Sequence, residues 1–482
     1  MEVLNLINGS HRPAEGGEWL DLIDPSKGKS YGRIPRSGAE DVEKAVSAAN
    51  DAFENWSSWS ADKRSACIDR LADKIQENAA MLSEAETRDN GKPIGLASTV
   101  DIPRAEKNLR FYASAIKHFA SESHYMEGVA INYTLRKPLG VVACISPWNL
   151  PLYLLTWKVA PALLMGNTIV AKPSELTPLT AHHLASVMQR IGLPKGVFNL
   201  VHGLGPEVGQ AMVEHPQIRG ISFTGGTATG KIVAATAAPM FKKISLELGG
   251  KNATVVLDDA PLDEIMDDLV RASFTNSGQV CLCGSRILVD SAIYEDFKGR
   301  FVEAVGRMVI GDPAEETTTM GSVISKDHQQ KVESYIRLGV EEGGKVLIGG
   351  TASDAPVDNV PSEGAFLRPT VLEGLSHTSR TATEEIFGPV VTLHSFDNED
   401  EAVAMANATE YGLAGSVWTK DAKRGHAFGQ RLDTGIVWVN TWLNRDLRTP
   451  FGGVKQSGVG REGGAWSLNF FSELTNICVL QP

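Results

Sequence analysis

The rhythm of apolar and polar positions changes as the chain proceeds. Residues 1 to 35 hold short apolar pieces broken by the turn signals Asn8-Gly9 and Asp24-Pro25-Ser26, which predict a strand-rich lead-in. From Ala39 to about Asn55 the apolar positions Val42, Ala45, Val46, Ala49 and Phe53 recur at helical spacing. A second helix is expected from about Ala61, with Ile68, Leu71, Ile75 and Met81 on one face, and a third from Ile102 to Phe119. Asp101-Ile-Pro103 reads as the cap of that third helix, since a proline in the first turn gives up an N–H that has no partner anyway. From Gly140 the rhythm becomes short apolar runs separated by helical stretches. Val141–Ile145, Thr168–Ala171, Val197–Val201 and Gly220–Thr224 are candidate strands, with a helix over about Pro178 to Ile191. This alternation predicts a parallel sheet covered on both faces. Ligands on such sheets bind beyond the carboxyl ends of the strands. Those ends carry Trp148, Asn149, Lys172, Glu175, Gly225 and Gly226.

A second α/β region is expected over about 251–440, with helices near Leu262 to Asn276 and Ile293 to Val309 and strands near Arg286 to Val289 and Val390 to Phe396. The tail, 461–482, closes on a strand pattern that would form a small β-arm with a strand around Tyr133. A chain of 482 residues suits two or three such units. Its net charge of −12 argues against general binding to nucleic acid or to an anionic membrane. The five cysteines (Cys67, Cys144, Cys281, Cys283 and Cys478) are too few and too scattered for a disulfide framework and fit a reducing compartment. The first ten residues lack a basic segment followed by a long apolar one, so no secretory signal is read. The longest apolar stretches fall far short of the roughly 18 residues a membrane span needs. A soluble, cytoplasmic protein is expected.

The chemistry concentrates in Phe274–Cys283, F-T-N-S-G-Q-V-C-L-C, where two cysteines follow a small, turn-prone run. Upstream, L-E-L-G-G-K places Glu247 inside an otherwise apolar segment. A thiol and a carboxylate in such settings point to covalent catalysis with a nearby base, although a lone cysteine also serves as a small buried hydrophobe. Asn149, in S-P-W-N, offers a side-chain amide to a developing oxyanion or simply makes a turn. Gly203–Gly209 and Gly225–Gly230 are glycine-rich turns between strand and helix, and neither is a clean G-x-G-x-x-G. The second directly follows an apolar strand, where its glycines would let a dinucleotide approach a helix N-terminus. Lys172-Pro-Ser-Glu175 is either a loop ion pair or a ribose-binding pair; an acid there favours NAD over its 2′-phosphorylated form. No metal-binding pattern is present: Cys281 and Cys283 have no second pair, and His182-His183 are adjacent on a helix.

Seven runs in order are similar to the aldehyde dehydrogenase superfamily over essentially the whole chain: P-W-N at 147–149, K-P-S-E at 172–175, F-T-G-G-T-A-T-G at 223–230, L-E-L-G-G-K at 246–251, F-T-N-S-G-Q-V-C at 274–281, E-E-I-F-G-P at 384–389 and P-F-G-G-V-K-Q-S-G at 450–458. The resemblance implies Cys281 as nucleophile, with Cys283 a neighbour that does not react. It implies Glu247 as the base that activates water, and Asn149 with the Cys281 N–H as oxyanion donors. It implies an NAD site at Trp148, Lys172, Glu175, Gly225, Gly226, Glu385 and Phe387. Many relatives have Ser where Gly226 stands, which removes one phosphate contact. Glu462 matches an acid near the water path.

Within the superfamily, D-I-P-R at 101–104, the run 146–158 and W-L-N-R-D-L-R-T-P-F-G-G at 442–453 are similar to dehydrogenases of 2-aminomuconate and 2-hydroxymuconate semialdehyde. That likeness implies that Arg104 and Arg445 bind a substrate carboxylate. Alternatives are a 5-carboxymethyl-2-hydroxymuconate semialdehyde dehydrogenase, a coenzyme-A-acylating relative, against which Glu247 argues, and an inactive binding scaffold. The expected fold is α/β. A Rossmann-like parallel-sheet cofactor domain would span 1–120 and 140–250, and a second α/β catalytic domain 251–440. A small β oligomerisation arm would comprise 121–139 and 461–482, and 441–460 would return to pack at the active site. A homo-oligomer, dimer or tetramer, is implied.

Overall fold

The computed structural model describes residues 1–481. Its frame is two α/β units. The first is an eight-stranded sheet whose central strands Val141–Ile145, Thr168–Lys172, Phe198–Leu200, Ile218–Thr224 and Lys243–Glu247 run parallel. Val141–Ile145 and Thr168–Lys172 are buried at every position, as strands covered on both faces must be. The lead-in reaches this sheet as well: Asn5–Ile7 pairs antiparallel with Phe198–Leu200 and extends one edge. The second unit is a seven-stranded sheet around Ala253–Val256, Arg286–Asp290, Val390–Phe396 and Ala414–Trp418. Separate apolar clusters line the two faces of each sheet.

One helix decides where the site lies. Pro151–Leu164 is buried along its whole length, which is expected of a helix that is apolar all round. It packs beside the helix Ile102–Ala115 and under the first sheet. A third sheet of Ser123–Met126, Ala130–Pro138 and Ser472–Leu480 forms a separate ribbon with exposed apolar side chains at Tyr125, Ile131, Leu135 and Leu474. Pro482, the last residue of the expected arm, lies outside the described residues.

Three local expectations are corrected. The second helix stops at Glu77, and Met81 belongs to the next helix, Ala79–Asn90, because Asn78 turns its side chain back onto the Lys74 carbonyl. The third ends as α-helix at Ala115 and finishes in a tighter 3₁₀ turn, Ile116–His118. Asp101 does not cap it. The backbone at Asp101 is already helical, continuing a π-turn over Ala97–Asp101, and its carboxylate is buried against the Lys92 ammonium.

Candidate active site

Cys281 follows a backbone that few sequences tolerate. Asn276, Ser277 and Gly278 take consecutive left-handed conformations, with φ of 52°, 56° and 70°. For the two residues with a Cβ this is strained, and local bonds hold it. Asn276 Nδ2 donates to the Asn149 carbonyl at 3.0 Å, Gln279 Nε2 donates to the Asn276 carbonyl at 3.0 Å, and the Ile324 N–H donates to Gln279 Oε1 at 2.9 Å. Beyond the cysteine, Asn252 Nδ2 bridges the carbonyls of Cys281 and Cys283 at 2.7 and 2.9 Å. The loop is therefore fixed on both sides of Cys281, which lines a cavity together with Glu247, Glu462, Tyr153, Arg445 and Phe451.

Asn149 reaches the same loop. Its Nδ2 donates to the Gln279 carbonyl at 2.9 Å, and its own carbonyl accepts from the buried Lys92 Nζ at 2.9 Å as well as from Asn276. Asn90 Nδ2 grips the Trp148 carbonyl at 2.9 Å. The Asn90–Lys92 segment thus pins the strand end that carries the amide. Lys92 in turn is charge-balanced by Glu86 at 3.2 Å and by Asp101, both fully buried.

Glu247 ends the strand Lys243–Glu247. It is 3% exposed and neither carboxylate oxygen has a hydrogen-bond partner among the described residues. Burial pushes its carboxyl well above the usual range, and Glu462 nearby adds to the shift. Lys158, Arg445 and Arg461 oppose it. Gly452 permits this placement, since a Cβ there would sit 2.7 Å from Glu247 Oε1. Lys158, within the all-buried helix, donates to Glu462 Oε1 at 2.7 Å and Ser222 Oγ at 3.0 Å. Burial also raises the Cys281 thiol, helped by the carboxylates of Glu385 and Glu247. Burial holds Cys283 up at about 12, and its sulfur faces the Thr275 carbonyl.

The two arginines lie differently. Arg445 lines the cavity. Its guanidinium sits 3.8 Å over the Phe451 ring and donates to Tyr153 Oη at 3.3 Å. Arg104 is not among the lining residues; it lies behind Tyr153, 5.2 Å from that ring, with Nε on Asn108 Oδ1 at 3.1 Å.

The residues assigned to the cofactor have distinct local settings. Gly226 precedes the helix Thr227–Ala237 with open space where a side chain would stand and no side-chain cap, leaving the first N–H groups open to a phosphate. Lys172 Nζ is buried and pairs with the half-exposed Glu175 at 3.2 Å. Glu385 accepts from the Gly250 N–H at 2.9 Å, an approach that requires Gly249, where a Cβ would lie 2.2 Å from its carboxylate. Phe387 has a left-handed φ of 60°; its ring meets Trp148 edge-on and its carbonyl accepts from His328 Nε2 at 2.6 Å. This cradle of an open helix N-terminus and carboxylates beyond the strand ends fits a dinucleotide. Among the described residues no cluster of His, Cys, Asp or Glu suits a metal ion, and no helix is long and apolar enough to cross a membrane.

The aldehyde dehydrogenase family model matches residues 11–477. The chain belongs to the aldehyde dehydrogenase family. It is accordingly an oxidoreductase that acts on small-molecule aldehydes and uses a nicotinamide dinucleotide, NAD or NADP. The 2-aminomuconic semialdehyde dehydrogenase of Mus musculus is 45% identical, the match covering 98% of this chain and 97% of that one. The 2-hydroxymuconic semialdehyde dehydrogenase of Pseudomonas sp. (strain CF600) is 44% identical, over 99% of each chain. Among solved aldehyde dehydrogenase structures, the NAD+ complex from Bacillus cereus is 37% identical with a TM-score of 0.96, covering 100% of this chain and 97% of that one.

Lys158, Tyr153, Asn108 and His328 went unremarked in the sequence. Lys158 had a signal, a lone cation in a fourteen-residue helix that is otherwise apolar or neutral. Asn108 stands one helical turn after Arg104, a spacing that could have flagged it; Tyr153 and His328 had no signal, because their partners Arg445 and Phe387 lie far away in the chain.

Proposed function

We propose that this aldehyde dehydrogenase oxidises an acidic, unsaturated semialdehyde of the 2-aminomuconate or 2-hydroxymuconate 6-semialdehyde type to the dicarboxylic acid, with NAD as oxidant. One observation carries the reading: the Arg445 guanidinium shares the Cys281 cavity and has no acid partner, with its buried Nη2 unbonded. A buried guanidinium nitrogen without a hydrogen-bond partner is costly unless a ligand supplies one. The names of the two muconic semialdehyde relatives agree with that ligand chemistry.

The Cys281 thiol gives up its proton to solvent and its sulfur attacks the aldehyde carbon. Asn149 Nδ2 and the Cys281 N–H receive the oxyanion. Bound nicotinamide supplies the hydride acceptor, and the substrate carbon becomes a Cys281 thioester. Glu385 and Phe387 hold the nicotinamide end, Trp148 packs against Phe387, and Gly225 and Gly226 border the pyrophosphate. Lys172 and Glu175 hold the adenosine ribose, where the Glu175 carboxylate repels a 2′-phosphate and so selects NAD. Glu247 then takes a proton from water, which attacks the thioester and frees the acid, and passes that proton to the leaving Cys281 sulfur; Lys158, bonded to Glu462, is the cation that keeps the Glu247 carboxyl from rising further.

The unit built on the eight-stranded sheet would hold NAD and the 251–440 unit would present the nucleophile. The apolar ribbon would pair subunits, since a monomer with that edge open invites association. The five unpaired thiols suit a cytoplasmic enzyme. NADH formation across a panel of amino-, hydroxy- and carboxymethyl-substituted muconate semialdehydes, with hexanal as neutral control, tests the reading. The highest kcat/KM is expected on an amino or hydroxy member of the panel. Preference for hexanal would refute it.

A further inference from the structure

Two guanidiniums flank one aromatic pair beside the cavity. Arg104 lies 5.2 Å from the Tyr153 ring centre and 5.6 Å from that of Trp157; Arg445 lies 5.3 Å from Trp157. Like charges in such a position ordinarily attract a protein carboxylate. Here the hydrogen-bond acceptors of both side chains among the described residues are neutral, Asn108 Oδ1 for Arg104 and Tyr153 Oη for Arg445. Each arginine keeps a buried Nη2 with no partner.

Asn108 is fully buried and fully used. Its Oδ1 accepts from Arg104 Nε at 3.1 Å, while its Nδ2 donates to the Tyr153 carbonyl at 3.0 Å and to Thr156 Oγ1 at 3.2 Å. One side chain therefore ties Arg104, on the helix Ile102–Ala115, to the turn that presents Tyr153, on the helix Pro151–Leu164. Tyr153 passes the link on to Arg445. An aspartate of nearly the same shape at 108 would pair with Arg104 and cancel half the positive charge of the cluster. A carboxamide aims the guanidinium and leaves its charge unspent.

Resting on the reading of Arg445 as the carboxylate partner, we propose that Asn108 is a positioning residue that sets the enzyme's preference for anionic aldehydes: with Tyr153 it orients the Arg104–Arg445 pair through neutral hydrogen bonds and so keeps both charges available to the substrate carboxylate. The consequence is a difference between substrates. It acts on the binding of acidic aldehydes and leaves hydride transfer itself alone.

The test uses the full-length enzyme with NAD, 2-hydroxymuconate semialdehyde and hexanal. Asn108→Asp is expected to raise KM for the acidic aldehyde about 30-fold, the size of a lost hydrogen bond to a charged group, while kcat on it and kcat/KM for hexanal stay within about twofold. Asn108→Leu, which removes the acceptor without adding charge, is expected to raise the acidic KM about fivefold. If Asn108→Asp does not fold, the Leu variant decides alone: an unchanged acidic KM overturns the proposal. Equal losses on both aldehydes in either folded variant also overturn it, since that is the signature of a merely structural residue. Arg445→Met separates the two levels. If it raises the acidic KM while the Asn108 variants do not, the carboxylate reading stands and this proposal falls. If Arg445→Met also leaves the acidic KM unchanged, the carboxylate reading itself falls.

Discussion

The cavity has an acidic end and a basic end, and they handle buried charge in opposite ways. At the acidic end Glu247 and Glu462 face the Lys158 ammonium, so three titratable groups share few net charges and burial shifts the Glu247 carboxyl upward toward neutrality. At the basic end Arg104 and Arg445 cannot shed their protons. The protein surrounds them with the rings of Tyr153, Trp157 and Phe451 and with neutral oxygens. A group that must gain and lose a proton in each turnover belongs in a cluster able to redistribute charge. A group that must only wait for an anion belongs where nothing else satisfies it. The difference separates the end that performs chemistry from the end that chooses the substrate.

Four variants sharpen that division, taken from the largest expected effect to the smallest. Cys281→Ser removes the nucleophile to which both ends are subordinate. Hydride transfer should fall by about 10⁴-fold or more while an NAD titration followed by fluorescence is unchanged. Residual turnover near the wild-type rate would overturn the assignment. Glu247→Gln should slow thioester hydrolysis by about 10³-fold and leave a rapid burst of one NADH per site in stopped flow. A variant with no burst would move Glu247 from hydrolysis to the first step alone. Lys158→Met removes the cation that holds the Glu247 carboxyl down, so that carboxyl rises further and more of it is protonated at a given pH. The acid limb of the kcat profile should then move to higher pH by about one unit. An unmoved limb would detach Lys158 from the acidic end. Glu175→Gln should improve the use of NADP by about tenfold, through loss of repulsion with the 2′-phosphate, and leave both aldehyde KM values alone.

The sequence pattern reveals the frame well, and the acidic end better than the basic one. Buried runs such as Val141–Ile145 announce the parallel sheet without help, because strands covered on both faces have no polar alternation to lose. Cys281, Glu247 and Asn149 stand in recognisable runs, and glycines of the L-E-L-G-G-K and P-F-G-G runs serve close approaches that the fold then displays, Gly249 on Glu385 and Gly452 on Glu247. The break at Asn78 escapes a periodicity argument, since the apolar spacing continues through Met81 while a side-chain bond to Lys74 ends the helix. Asp101 escapes for another reason. An acid before Ile-Pro resembles a cap, and its true partner Lys92 is visible only once the π-turn folds back. Arg104 and Arg445 read alike along the chain, yet one lines the cavity and one stands behind Tyr153. That depends on how two helices pack, and local spacing does not encode it.

The account's central claim is that the basic end reads a substrate carboxylate. The direct measurement is the ratio of kcat/KM for 2-hydroxymuconate semialdehyde to that for hexanal, in the wild-type enzyme and in Arg445→Ala. The expected result is a fall of about 100-fold in that ratio, carried by KM for the acidic aldehyde, with a far smaller loss on hexanal. Equal losses on the two aldehydes would contradict it.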